Sequence, residues 1–147
     1  MRVRGAALIV EEGRFLVLAY DYPKGRIYAI PGGGMEEGES LAATVVREYR
    51  EEMGLDIEIG RLRYVGDMMS HGDISQAVHV VFEARILAGE PVLNAHHTSA
   101  SEVLWLDLAK LDSVSLYPAI NREIMADQTR ANPAARYLGD CMARDWS

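Results

Sequence analysis

Gly33-Gly34-Met35-Glu36-Glu37-Gly38-Glu39-Ser40-Leu41-Ala42-Ala43-Thr44-Val45-Val46-Arg47-Glu48-Tyr49-Arg50-Glu51-Glu52-Met53-Gly54-Leu55 reads as a glycine-rich turn feeding one helix. Ser40 suits the N-cap, where its hydroxyl accepts from a free amide of the first turn. Gly54 suits the position just past the last turn, where a left-handed residue ends a helix. Between them Ala42, Val45, Val46, Tyr49 and Met53 recur at helical spacing and predict a buried stripe. Glu48, Glu51 and Glu52 stand at i, i+3 and i+4 and share one flank. Two such charges about 6 Å apart repel by roughly 3 kcal/mol at an effective dielectric near 20. A divalent cation with oxygen ligands relieves that repulsion, and Mg²⁺ takes carboxylates together with substrate phosphates.

Glutamates on a helix are more often a solvated face, and Arg47 can pair with Glu51 at i, i+4. The turn shifts the balance. Pro31-Gly32-Gly33-Gly34 follows the apolar run Ile27 to Ile30, so a strand stops there. Consecutive glycines let the backbone approach a ligand closely, and a hairpin rarely needs three.

This segment resembles the Nudix box, G-x5-E-x7-R-E-U-x-E-E-x-G-U, with U a bulky apolar residue. Gly33, Glu39, Arg47, Glu48, Glu51, Glu52 and Gly54 fill every fixed position, and Leu55 is the closing apolar residue. Tyr49 is an aromatic choice at the other U position. At average residue usage a chance match has odds on the order of one in a million, which favours a real relationship. Tyr28 to Gly33 looks like the strand entering the box, and Glu102 to Leu106 like a later family strand.

The resemblance implies hydrolysis of a nucleoside diphosphate linked to another group. It implies that Glu48, Glu51 and Glu52 bind Mg²⁺ or Mn²⁺, with the Gly32 carbonyl as a further ligand. Arg47 would orient the glutamates, and Glu39 would hold the loop in shape. Glu51 or Glu52 could take the proton from water, which requires hydrogen-bond reach. In some relatives the base comes from a later loop. Here Leu93 to Ser101 contains no carboxylate, leaving His96, His97 or the flanking Glu102 as candidates beside a plain surface reading. His71 and Asp73 lie in another polar stretch that reads most simply as a turn. Tyr22 could stack on a base and Arg26 or Lys24 meet a phosphate. Gly33 and Gly34 are further substrate-contact candidates through their backbone.

The chain has 147 residues and a net charge of −7. Acidity argues against duplex nucleic acid as a partner and requires metals to invert the local sign before a nucleotide can approach. The lone Cys141 excludes an internal disulfide framework. No apolar run is long enough to span a bilayer, and Met1-Arg2-Val3-Arg4 lacks a convincing leader. These features predict a cytoplasmic protein with one domain over residues 1–147.

Runs at Val3 to Val10 and Phe15 to Tyr20 predict a hairpin across Glu11-Glu12-Gly13-Arg14. Ile57 to Asp67, Gln76 to Ile86 and Val103 to Leu106 predict further strands. Leu108 to Leu111 predicts a helical turn, Pro118 to Ala126 a helix with proline at its start, and Ala134 to Ala143 another helix. The C-terminal helices would close over the substrate or form a homodimer contact. The expected architecture is an α/β/α sandwich around a mixed sheet, as the resemblance also implies. Met68, Met69, Met125 and Met142 read as core or interface filler. Subgroup signatures for ADP-ribose, dinucleoside polyphosphates, NADH and coenzyme A are missing, so a nucleoside triphosphate is favoured by elimination. ADP-ribose or nucleotide sugars, and a nucleotide-binding regulator without turnover, are the alternatives.

Overall fold

The alternation of Arg2–Leu8, the first strand β1, sets the layering of the whole protein. The computed structural model describes residues 1–70 and 72–141. Ala6 and Leu8 face one buried cluster, whereas Ala7 faces another. Successive residues of a strand point to opposite faces, so β1 is covered on both sides.

Two mixed sheets follow from this core. After β2 (Val10–Glu11) come β3 (Arg14–Tyr22), β4 (Gly25–Ala29) and β5 (Gly32–Gly34). Helix α1 (Leu41–Met53) leads into the long antiparallel pair β6 (Asp56–Met68) and β7 (Ala77–Ala88). Strand β8 (Glu102–Asp107) and a 3₁₀ helix (Leu108–Ser113) precede β9 (Ser115–Tyr117), α2 (Asn121–Asp127) and β10 (Arg136–Asp140). One sheet has the order β10-β6-β7-β1-β5; the other runs β2-β3-β4-β9, with β8 also paired to β3. β1 runs parallel to β7, with Arg2 opposite Ala77, and antiparallel to β5, with Gly5 opposite Gly33.

Helix α1 closes one cluster: Val45, Tyr49 and Met53 pack with Ala7, Ile9, Leu16, Leu18, Leu55 and Ile57. Tyr49 is fully buried and its hydroxyl donates to the Ala7 carbonyl at 2.7 Å. Burying a large side chain of this kind stabilises by about 1.5–3 kcal/mol. The 3₁₀ helix and α2 close the other cluster, where Leu108, Leu111, Ile120 and Ile124 meet Ala6, Leu8, Phe15 and Val17. The layers are those of the expected α/β/α sandwich, with the strands divided between two sheets.

Four expectations change. The run Val3 to Val10 divides, so that only Val10–Glu11 forms the hairpin with β3 while β1 joins the other sheet. Gly32–Gly34, read as a turn, is strand β5 on the edge of β1. Ala134 to Ala143 is not helical over its described part: Arg136–Asp140 adds to the sheet edge, Arg136 opposite Tyr64 in parallel register. Residues 142 and 143, Met142 among them, lie outside the described residues. The helix expected from Pro118 begins at Asn121, because Tyr117 belongs to β9 and Pro118 is buried at the corner. Among the methionines, Met68 is buried and Met125 packs on the core, while Met69 is exposed. Among the described residues no helix is long and apolar enough to cross a membrane.

Candidate active site

Helix α1 is fixed at both ends by its own sequence. Ser40 Oγ accepts from the Ala43 amide at 3.1 Å. Gly54 takes φ 67°, its amide bonding to Arg50 O and that of Leu55 to Tyr49 O. This closes the last turn in the manner of a left-handed cap and sets the rotation of the acidic flank.

Arg47 gathers that flank. Its Nε and Nη2 donate to the two oxygens of Glu39 at 3.0 and 2.8 Å. Nη2 also donates to the Gly34 carbonyl at 3.1 Å. Nη1 donates to Glu48 Oε1 at 3.0 Å and Glu51 Oε2 at 3.2 Å. Glu39 in turn accepts from the Glu36 amide and the Thr44 hydroxyl. The Arg47 guanidinium beside Glu39 holds its carboxyl down to about 2. The pair therefore ties the end of β5 and the loop that follows it to the helix.

Gly33 needs to be glycine for a reason within the protein itself. An added Cβ would lie 2.2 Å from Glu48 Oε1, so the bare backbone makes room for the Glu48 carboxylate. The Gly34 carbonyl accepts from Arg47.

Glu52 departs most from its expected setting. Sequence spacing puts it on an accessible flank, yet it is only 5% exposed. Its Oε1 is buried without a hydrogen-bond partner. Burial, then the neighbouring Glu48 charge and a hydrogen bond with Glu48, push its carboxyl up to about 8, with Arg4 pulling the other way. Two carboxyls in contact hold a proton between them because both cannot ionise cheaply.

These donors suit a hard divalent ion. An orphaned carboxylate oxygen beside a second carboxylate is an arrangement that a cation relieves. The three glutamates do not form a single cup as they stand: among the described residues no group of three or more His, Cys, Asp or Glu is gathered for a metal. Glu48 and Glu51 instead lean on Arg47.

Glu52 and Gly32 open on one cavity of about 230 Å³. Its walls include Arg4 of β1, Tyr20 and Tyr22 of β3, Ile74 and Tyr117 of β9. Tyr20 and Tyr22 are stacked, with centroids 6.4 Å apart. A neighbouring cavity of about 370 Å³ shares Tyr22 and Ile27 and extends over Pro23, Lys24, Arg26 and Ser115. Tyr22, the base-stacking candidate, lines both cavities. Arg4 was missed; the signal was a charged residue sharing the strand face of the buried Ala6 and Leu8.

The remaining candidates sort themselves by contact. Arg26 is held by Asp21 and Glu102, both at 2.7 Å. Glu102 therefore sits at the start of β8 as the partner of Arg26, apart from the helix glutamates. His96 and His97 occupy an exposed turn. That turn is pinned to the site, since the Asn94 amide donates to Glu52 O at 2.8 Å and Thr98 Oγ1 lies 3.4 Å from the Tyr20 hydroxyl. Asp73 is exposed, and His71 lies outside the described residues.

The family profile described as NUDIX domain matches residues 1–128. YvcI of Bacillus subtilis, described as an uncharacterized Nudix hydrolase, is 30% identical over 105 residues, covering 69% of this chain and 65% of that protein. The chain spans half or less of the length of six further curated relatives. A MutT NUDIX hydrolase from Burkholderia pseudomallei superposes with TM-score 0.64 at 28% identity, over 74% of this chain and 84% of that one. A MutT protein from Bacillus halodurans superposes with TM-score 0.77 at 21% identity, over the whole of this chain and 94% of that one. The last likeness is one of fold.

Proposed function

The chain belongs to the Nudix family, whose members act on pyrophosphate bonds, and from that premise we propose that it hydrolyses a phosphoanhydride bond in a nucleoside diphosphate derivative, as one domain. A bound Mg²⁺ or Mn²⁺ would be held by Glu48, Glu51, Glu52 and the Gly32 carbonyl, and would supply charge neutralisation and a more acidic water. The observation that carries the reading is Glu52. It is a buried carboxyl with an orphaned oxygen, beside Glu48, at the wall of a cavity lined by tyrosines.

In this reading the chain's own groups divide the work. Arg47 keeps Glu48 and Glu51 oriented through its Nη1 hydrogen bonds. Glu51, less buried than Glu52, accepts the proton of the attacking water. Tyr22, beside Tyr20, offers a face to the base. The cavity is smaller than the roughly 300–1,000 Å³ usual for drug-sized ligands, so it suits one half of the substrate and leaves the other outside. A nucleoside triphosphate is the favoured substrate; ADP-ribose and nucleotide sugars belong in the same test.

A product-resolved panel of nucleotides with Mg²⁺ and Mn²⁺ tests this. Turnover that chelation abolishes supports the reading. Tight nucleotide binding without any product refutes hydrolysis and makes the protein a nucleotide-responsive binding domain.

A further inference from the structure

We propose that Arg4 is a specificity-determining residue that grips the phosphate attached to the nucleoside half of the substrate, so that the 230 Å³ cavity is a nucleoside 5′-monophosphate site. This rests on the hydrolase reading above and adds which side of the anhydride enters the pocket.

Arg4 lies near the middle of β1, opposite Gly34 on one side and His79 on the other. It shares the cavity wall with Glu52, Gly32, Tyr20, Tyr22 and Tyr117. Its Nε is buried without a hydrogen-bond partner. Among the described residues no carboxylate lies within salt-bridge distance of it. Most other arginines differ. Arg14, Arg26, Arg47, Arg50, Arg63, Arg85, Arg130 and Arg136 all have acidic partners. Its charge is felt across the cavity, favouring the ionised forms of Glu52 and Tyr20 and the neutral form of His79.

The Arg4 guanidinium is half-buried, and a buried N–H left without an acceptor is costly, while its planar fork matches a phosphate. The rest of the wall says what that phosphate carries. Ile27, Ala29, Ile74 and the tyrosines make the cavity apolar and aromatic, a setting for a flat ring. Glu52 lies at the same wall, so the phosphate held by Arg4 is the one nearest the carboxylates. It is therefore the phosphate bonded to the nucleoside, and the group leaving or receiving the second phosphorus points out of the cavity.

Calorimetry with the intact chain in Mg²⁺ tests the assignment, using four nucleoside 5′-monophosphates, the matching nucleosides and inorganic phosphate. At least one monophosphate should bind ten- to a hundredfold more tightly than its nucleoside, the range of a charge-assisted hydrogen bond. Arg4→Met, which keeps an apolar stem, should abolish that difference, and Arg4→Lys should restore part of it. In steady state Arg4→Met should raise KM more than it lowers kcat. Unaltered monophosphate affinity in both folded variants, or equal binding of nucleoside and monophosphate by the wild type, overturns the role of Arg4. If the wild type still turns over nucleotides in that case, the hydrolase reading stands alone. Arg4-dependent binding without turnover supports the phosphate site and removes the hydrolase reading.

Discussion

Replacing Glu52 by glutamine removes one charge and almost no volume. Glu52 is 5% exposed and carries an oxygen without a partner. Burial, together with Glu48, raises its carboxyl from 4.5 to about 8. A carboxyl whose affinity for the proton rises on folding stabilises the fold most below its unfolded pKa. That stability is lost as pH climbs through the folded value. The metal-free wild type should therefore weaken between about pH 4.5 and 8. A tenfold gain in proton affinity on folding is worth about 1.4 kcal/mol, so the loss is of the order of a few kcal/mol. Glu52→Gln escapes it, and its amide can donate to Glu48. Thermal melts in chelator should show the two proteins alike at pH 5 and the variant more stable at pH 8.5 by about 5–15 °C, at roughly 2–4 °C per kcal/mol for this size. Turnover should fall by orders of magnitude, and Mg²⁺ should no longer raise the variant's Tm. Parallel melting curves across the whole pH range would refute the buried, proton-sharing pair. Normal turnover would remove Glu52 from the site.

Gly54→Val should cost about 2 kcal/mol, since φ 67° strains a β-branched residue while nothing crowds its Cβ; an unchanged Tm would show that the cap is not used. Gly33→Ala places a methyl 2.2 Å from the Glu48 carboxylate. It should cost about 1–3 kcal/mol and depress activity more than Gly54→Val does, which side-by-side melts and rates would check. His79 has both ring nitrogens buried without partners, and burial lowers its pKa from 6.5 to about 3. Its contribution is full above pH 6.5 and is lost as pH falls toward 3. His79→Leu should flatten the acid limb of the stability profile, and an unaltered limb would point to other groups.

The box is legible because its determinants are local. The Ser40 cap, the Gly54 stop and the Arg47 pairings all lie within one turn and one helix. The depth of Glu52 is not legible, since the residues that share its cavity come from β1, β3 and β9, distant in sequence. Arg136–Asp140 misleads for the same reason: its strand character comes from parallel pairing with β6 rather than from its own composition. Arg26 and Glu102 read from sequence as separate candidates for the chemistry. Their ion pair depends on the antiparallel neighbours β4 and β8 flanking β3, and no short pattern announces it.

The position of β1 has a consequence for how the chain is made. It pairs early with β5, but its other edge must await β7, about 75 residues downstream. At roughly 5–20 residues per second on the ribosome, an apolar strand leaves one row of amides and carbonyls open for about 4–15 s. Arg2 and Arg4 sit on that strand during the wait, and charge on an open edge discourages the nascent chain from pairing with its neighbours.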